Sequence, residues 1–329
     1  MPGEFDLIAK YFARATPSAV LGPGDDCALV QPTPGRQLAV TTDMLVAGTH
    51  FLPDTDPKNL GWKALAVNLS DLAAMGATPR WVTLSGALPT VDEAWIAAFA
   101  EGFFACAGTY GVDVIGGDTT RGPLNVCVTA MGEVEPGQAL RRDGAKVGDQ
   151  VWVSGRPGLA ALGLAHLQGR VKLPEPWPRL CVAALEKPKP RVALGQALLG
   201  LASAAIDVSD GLLADLGHIC ERSGCAAALQ LVQLPQLRDL AGSGAQYDAD
   251  LRRIALECQL AGGDDYELCF TVPAPLSPAI GRIAARLELP LWPIGEIVPG
   301  PAGQVTVYDP DFKPVDFARK GYDHFAAEA

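Results

Sequence analysis

Two domains of mixed α+β or α/β type are what this sequence predicts, and three features predict them. Predicted strands alternate with predicted helices along the whole chain. The strands are long and apolar, as in LNVCVTAMGEV and VWVSG. A polar, Gly-rich stretch, EPGQALRRDGAKVGD, breaks the pattern near residues 137–149 and divides the 329-residue chain into segments 1–138 and 147–329.

The first segment opens with MPGEFDLIAKYFARA, where Phe5, Ile8, Ala9 and Phe12 are spaced as one face of an amphipathic helix. LGPGDDCALV follows as a Gly-Pro-Gly turn, two aspartates and a short strand, and QLAVTTD is a second strand with Asp43 at its carboxyl end. DPKNLGWKALAVNLSDLAAMG predicts a helix that Asp56 caps, Pro57 starts and Gly76 ends. WVTLSGAL is a strand; Thr90 and Glu93 then form a capping-box pattern opening a helix through Tyr110. VDVIGGDTTRG is a strand running into a Gly-rich turn, and LNVCVTAMGEV is the last strand of this half.

The second segment continues as strand VWVSG, helix GLAALGLAHL and a Pro-rich connection around PEPWPRL and EKPKPR. Helix RVALGQALLGL, strand AIDVSD, helix GLLADLGHICERSG and strand AALQL come next. Helix DLRRIALECQL, strand YELCFTV, helix PLSPAIGRIAARL and strands around LWPIGEIV and QVTVY close it. No period of about 20–50 residues repeats.

Composition narrows the function. With 49% apolar and 19% charged residues there is material for large cores and no signature of disorder. No apolar run approaches the roughly 18 residues that span a bilayer. The first residues carry acids where a signal peptide carries bases, so a soluble, cytoplasmic protein is expected. The eight cysteines form no CxxC and read as reduced, buried thiols. A net charge of −11 argues against nucleic acid as a partner. It leaves room for a polyphosphate if divalent cations stand between the two anions.

The positions of the carboxylates are the informative feature. Asp25/Asp26, Asp43, Asp71, Asp118, Asp207/Asp210 and Asp264/Asp265 fall at strand ends or inside apolar segments rather than on solvated faces. An ionised carboxylate there is costly unless paired or bound to a metal. Any single one can be a helix cap or a turn anchor, and Asp71 can pair with Lys63 on the same helical face. As a set they fit magnesium on ATP phosphates, since magnesium prefers carboxylate and phosphate oxygens. GGDTTRG offers backbone N–H groups to a phosphate beside Asp118, and Arg142 in the junction is the best-placed cation. GxxxxGK[ST], GxGxxG, GxSxG and HExxH are all absent. His50, on a loop after Asp43, either contacts a ligand or packs.

GPGDDCAL, TTDMLVAGTHF, WKALAVNLSDLAAMGATP, IGGDTTRG, IDVSDGLLADL, GGDDYELCFT and the terminal GYDHF together resemble thiamine-monophosphate kinase, within the aminoimidazole-ribonucleotide-synthetase-like superfamily. The resemblance runs in family order over nearly the whole chain. It implies a two-domain fold whose N-terminal mixed sheets pair into a barrel in a homodimer, an α/β C-terminal domain, and ATP in a groove between domains. It implies several magnesium ions on Asp26, Thr41, Thr42, Asp43, Asp71, Asp118, Asp207 and Asp210. It implies ATP contacts from Gly117, Asp118, Arg142 and Ser209, with Tyr110 as a further candidate. His50, Asp264 and Tyr322 are implied around thiamine monophosphate. Two positions depart: Ala47 stands where the family commonly has glutamate, and GGDD where it has GGED.

The reaction implied is direct transfer of the γ-phosphoryl group of ATP, without a phosphoenzyme and without a general base. Two rivals stay open at this level. One is a sibling synthetase acting on an amide or formyl oxygen. The selenium-phosphorylating and carbamoyl-dehydrating siblings carry an N-terminal Cys-Gly-Lys element or a C-terminal cysteine that this sequence lacks. The other is a non-catalytic nucleotide-binding dimer, for which loss of some ligand aspartates is expected.

Overall fold

The structure of this chain, a computed structural model, describes residues 3–235, 249–317 and 321–322. The chain forms two compact units, residues 1–72 with 77–139, and residues 73–76 with 140–329.

In the first unit, helix α1 (Glu4–Leu7) runs into a π-helical turn at Ile8–Phe12, so the predicted amphipathic helix is shorter and less regular than its spacing suggests. Lys10 Nζ and Tyr11 Oη both donate to Glu93, which ties this segment down. Strands β1 (Ala19–Leu21) and β2 (Leu29–Val30) pair antiparallel. Strand β3 (Gln37–Val46), helix α2 (Pro57–Ala74), strand β4 (Thr78–Leu88), helix α3 (Glu93–Tyr110), strand β5 (Asp113–Arg121) and strand β6 (Asn125–Val134) follow. Their sheet has the order β3-β6-β4-β5. Its β4–β5 pair is parallel, joined by the α3 crossover, and the other pairs are antiparallel.

The ends of α2 follow the sequence: Asp56 Oδ1 accepts from the Lys58 N–H at 2.7 Å, and Gly76 turns the chain at φ +68°. The capping box at Thr90 does not form. Asp92 caps α3 instead, accepting from the N–H groups of Ala94 and Trp95 at 3.0 and 3.1 Å. Its short side chain sits immediately before the first helical residue, and Glu93 is taken by Lys10 and Tyr11.

Two strands run further than predicted. β3 continues to Val46, which places Asp43 inside the strand. β5 continues through GGDTTR, which the sequence predicts as a turn. Glycine makes this continuation possible: Gly117 lies at φ +156°, and a Cβ there would stand 1.8 Å from the Leu84 carbonyl oxygen on β4.

Every residue of α2 from Leu60 to Ser70 is buried, including Lys63, Asn68 and Ser70. Glycines allow α2 and α3 to touch backbone to backbone. A Cβ on Gly61 would meet the Phe99 carbonyl oxygen at 2.0 Å, and one on Gly102 would meet that of Lys58 at 1.8 Å.

The second unit contains strand β7 (Asp149–Ser154), helices α4 (Leu159–Leu167), α5 (Trp177–Glu186) and α6 (Val192–Leu198), and strand β8 (Ala204–Val208). Helix α7 (Leu212–Ser223), strand β9 (Ala226–Gln230), helix α8 (Ala249–Ala261), strand β10 (Glu267–Pro273) and helix α9 (Ser277–Leu287) come next. Strands β11 (Leu291–Val298), β12 (Val305–Tyr308) and β13 (Pro314–Val315) end it. The sheet order is β13-β12-β9-β11-β7-β10-β8, antiparallel except for β12 beside β9.

Helix α5 occupies what the sequence predicts as a Pro-rich connection. Pro178 lies in its first turn, where the missing N–H costs nothing. Its Trp177 and Cys181 pack with Leu162, Leu173 and Ala255 in a satellite cluster beside the main core. That main core joins Val151 and Val153 of β7, Ile206 and Val208 of β8, and Leu212, Leu216 and Ile219 of α7. All eight cysteines are free thiols, and no described helix is long and apolar enough to cross a membrane.

The helix contact yields a prediction. Gly102→Ala forces α2 and α3 apart and lowers unfolding stability by about 1–3 kcal/mol, read as a lower urea midpoint. An unchanged midpoint contradicts the close-contact account.

Candidate active site

Apart from Tyr110 and Arg142, the predicted site residues fall into three groups, two in the first unit and one in the second.

The first group sits at the β3 edge of the four-stranded sheet. Side chains alternate along a strand, so Thr41 and Asp43 share a face. Thr41 Oγ1 donates a short hydrogen bond to Asp71 Oδ2 on α2. The Asp43 N–H is caught by Asn68 Oδ1 at 3.0 Å. Thr42 points to the opposite face, where its hydroxyl pairs with that of Thr129 at 2.8 Å. His50 closes the turn after β3: its Nδ1 accepts the Val46 N–H at 3.0 Å, which leaves Nε2 as the protonated nitrogen of the neutral ring. The His50 carbonyl accepts from Lys63 Nζ at 3.4 Å.

The second group lines a cavity of about 540 Å³ within the first unit. Its lining includes Asp25, Asp26, Gly117 and Asp118 together with apolar residues such as Phe12, Trp95 and Phe99. The three carboxylates are exposed to solvent. Tyr110 does not line the cavity. It ends α3, and its ring meets Trp62 edge-on with centroids 6.4 Å apart.

Strand register fixes the relation between these two groups. Asp43 pairs with Val128, Val128 with Leu84, and Leu84 with Gly117, so Asp43 and Gly117 are the two ends of one row across the sheet. Three strand spacings separate them, roughly 14 Å. Side chains on opposite edges cannot share one cation within a single chain, because magnesium–oxygen distances are only about 2.0–2.1 Å. Consistently, no three His, Cys, Asp or Glu among the described residues stand close enough together to hold one metal ion.

The third group surrounds the loop between β8 and α7. Asp207 is buried at 3% exposure on β8, and Ser209 and Asp210 follow it, half-buried. Gly211 at φ +125° turns the chain into α7. Asp264, also at positive φ (+68°), donates its N–H to the Ser209 carbonyl at 2.8 Å and accepts from Tyr266 Oη at 3.0 Å. The Tyr322 N–H donates to the Asp210 carbonyl at 2.9 Å, so Ser209, Asp210, Asp264 and Tyr322 are brought together. Asp323, His324 and Phe325 of the GYDHF motif lie outside the described residues. Arg142 is exposed, and its carbonyl accepts from Ser223 Oγ at 2.9 Å.

Asp265 plays a different part from its neighbour. Its carboxylate accepts the Gly158 N–H at 2.6 Å at the start of α4, and burial pushes its pKa well above the usual carboxylate range. Asp215, which sequence reasoning passed over, is 2% exposed. Burial, reinforced by the charge of Asp210, pushes its pKa up to about 7, while three backbone N–H groups oppose that rise. The one sequence signal for it is an acid in the first turn of GLLADL. Trp95 and Phe12 were likewise passed over because each reads as ordinary apolar packing, and Asn68 because nothing in its own helix marks the strand it meets.

Residues 24–134 match the family described as AIR synthase related protein, N-terminal domain, and residues 146–308 match its C-terminal domain. The fold and site thus define a two-domain protein of the AIR-synthase-related class. Thiamine-monophosphate kinase of Salmonella typhimurium is 48% identical over 98% of this chain and 98% of its own length. The crystal structure of thiamine-monophosphate kinase from Stenotrophomonas maltophilia K279a is similar at a TM-score of 0.80 and 49% identity, over 88% of this chain and 91% of that one. AaThiL complexed with AMPPCP and TMP is similar at a TM-score of 0.74 and 31% identity, over 92% and 91%. This chain belongs to the thiamine-monophosphate kinase family.

The donors present fit magnesium. The Thr41 hydroxyl and the carboxylates of Asp26, Asp43, Asp71, Asp118 and Asp210 are hard oxygen ligands at exposed or half-buried positions. Magnesium usually takes one or two carboxylates while keeping waters and phosphate oxygens.

Gly117→Ala tests the strand that presents Asp118. The added methyl must displace the Leu84 carbonyl, and activity falls roughly tenfold or more through misplacement of Asp118. Wild-type turnover in this variant contradicts the assignment.

Proposed function

We propose that this chain transfers the γ-phosphoryl group of ATP to the phosphate of thiamine monophosphate, giving thiamine diphosphate and ADP. The observation that carries the proposal is the 48% identity to a thiamine-monophosphate kinase over 98% of both chains. The all-oxygen donor set supports it, and so does the likeness to a relative complexed with AMPPCP and TMP. The reduced state of the eight thiols accords with a cytoplasmic location.

In this reading Asp26, Thr41, Asp43, Asp71, Asp118, Asp207 and Asp210 hold magnesium ions, with Thr42 able to contribute only its backbone. Bound magnesium neutralises phosphate charge and favours a loose in-line transition state. Backbone N–H groups at Gly117 and the side chains of Arg142 and Ser209 hold the nucleotide phosphates. Asp264 and Tyr322 face the acceptor. His50, with Nδ1 engaged by Val46, offers an Nε2–H donor to it. The chain needs no general base, because a phosphate monoester with a second pKa of about 6 is already largely dianionic at neutral pH. Its task is to orient two anions and hold them in line.

The proposal includes a homodimer. The two carboxylate groups of the first unit lie on opposite edges of one sheet, and a second copy with its β5 edge beside β3 brings Asp43 of one chain towards Asp118 of the next. The opposite face of β3, the one Thr42 shares, carries the exposed apolar side chains Leu38, Val40 and Met44, which a second copy would cover.

Purified protein with ATP, magnesium and thiamine monophosphate should form thiamine diphosphate and ADP in equal amounts; ADP release independent of the acceptor contradicts the proposal. Asp71→Asn and Asp118→Asn should each cut turnover about a hundredfold or more with the fold intact by circular dichroism. Mixing inactive Asp43→Asn and Asp118→Asn chains and letting subunits exchange should restore about a quarter of wild-type activity, because half the dimers are mixed and each has one intact site. No recovery on mixing places both residues in a site within one chain.

A further inference from the structure

The loop between β8 and α7 has an unusual hydrogen-bond pattern. Three consecutive backbone N–H groups, those of Ser209, Asp210 and Gly211, all donate to one atom, Oδ2 of Asp215, at 3.1, 3.1 and 3.0 Å. The three consecutive carbonyls on the other side of the same backbone are also taken. Val208 accepts from the Tyr266 N–H at 2.8 Å, Ser209 from Asp264 at 2.8 Å and Asp210 from Tyr322 at 2.9 Å. Space is as restricted as bonding. A Cβ on Gly263 would stand 2.3 Å from the Ser209 carbonyl oxygen, and one on Gly321 would stand 2.5 Å from Ala214 Cβ.

This backbone cannot move without breaking bonds on both sides. Its own residues, Ser209 and Asp210, belong to the nucleotide and metal side of the proposed reaction. The residues hung from its carbonyls, Asp264 and Tyr322, belong to the acceptor side. Asp215 is the side chain that gathers its three N–H groups, and it comes from the first turn of the following helix, whose own N-cap, Gly211, has no side chain to offer.

We propose that Asp215 is a positioning residue that holds residues 208–211 as a common mount, fixing the nucleotide-side groups Ser209 and Asp210 relative to the acceptor-side groups Asp264 and Tyr322. It touches neither substrate. This rests on the functional reading above for the identity of the two substrates, but not for the mount itself. An Asp in the first turn of a helix also stabilises that helix, and the test must separate the two roles.

Asp215→Asn replaces the carboxylate that gathers the three N–H groups with a weaker amide acceptor while nearly preserving volume. As a positioning residue it should lower kcat about tenfold or more and raise the magnesium concentration for half-maximal rate several-fold. The KM for thiamine monophosphate should rise with it, in a protein still folded by circular dichroism. A purely structural role lowers the melting temperature and leaves all three unchanged, and that result overturns the proposal. Should Asp215→Asn fail to fold, Gly321→Ala presses on the same loop from the carbonyl side and must give the same triple signature; wild-type kinetics there overturn it equally.

Calorimetric titration with magnesium and the non-hydrolysable analogue AMPPCP keeps this proposal separate from the functional one. A wild-type protein that binds the analogue but never phosphorylates thiamine monophosphate defeats the functional reading alone. The mount is then judged by whether Asp215→Asn weakens analogue binding several-fold, and equal affinity rejects it.

Discussion

Repulsion between anions is the constraint around which this protein is organised. The chain carries a net charge of −11, ATP is a polyanion and the proposed acceptor is a phosphate dianion. At an effective dielectric near 20, one pair of like unit charges 4 Å apart costs about 4 kcal/mol, and several such pairs must approach together. Adding carboxylates to such a site is sensible only if cations lie between them and the phosphates. The donor set fits that condition: hydroxyl and carboxylate oxygens, all but Asp207 at exposed or half-buried positions, rather than lysines and arginines.

The fold answers the constraint by holding each carboxylate through backbone geometry. On β3, strand alternation sets Thr41 and Asp43 on one face, and α2 supplies Asp71 and Asn68 to meet them. On β5, Gly117 lets the chain stay paired to β4 where a side chain would collide, and Asp118 follows directly. In the second unit one buried carboxylate and three neighbouring N–H groups lock both sides of a short loop.

Much of this could be read from residues alone, and the remainder had physical reasons to stay hidden. Helix α2 announced itself through Asp56, Pro57 and Gly76, because caps and breakers are local. Its burial from Leu60 to Ser70 accords with ALAVNLSDLAAM, which is apolar apart from Asn68, Ser70 and Asp71. Gly-Gly-Asp in β5 was misread as a turn because local chemistry favours a turn there and only the pairing to Leu84 overrides it. Helix α5 was missed since prolines at its N-terminus look like breakers unless the helix start is known. The wide separation of Asp43 from Gly117 depends on strand order, which no local pattern encodes. Asp215 looked like an ordinary helix acid because its three donors come from backbone, which carries no sequence signature.

The most direct measurement of the central claim is the affinity for AMPPCP by titration calorimetry, with magnesium and then with the metal chelated. If cations join these carboxylates to the nucleotide, binding with magnesium disappears on chelation. Undiminished affinity without divalent metal would mean that the protein's own cations and N–H groups hold the phosphates, and the account given for its aspartates would be wrong.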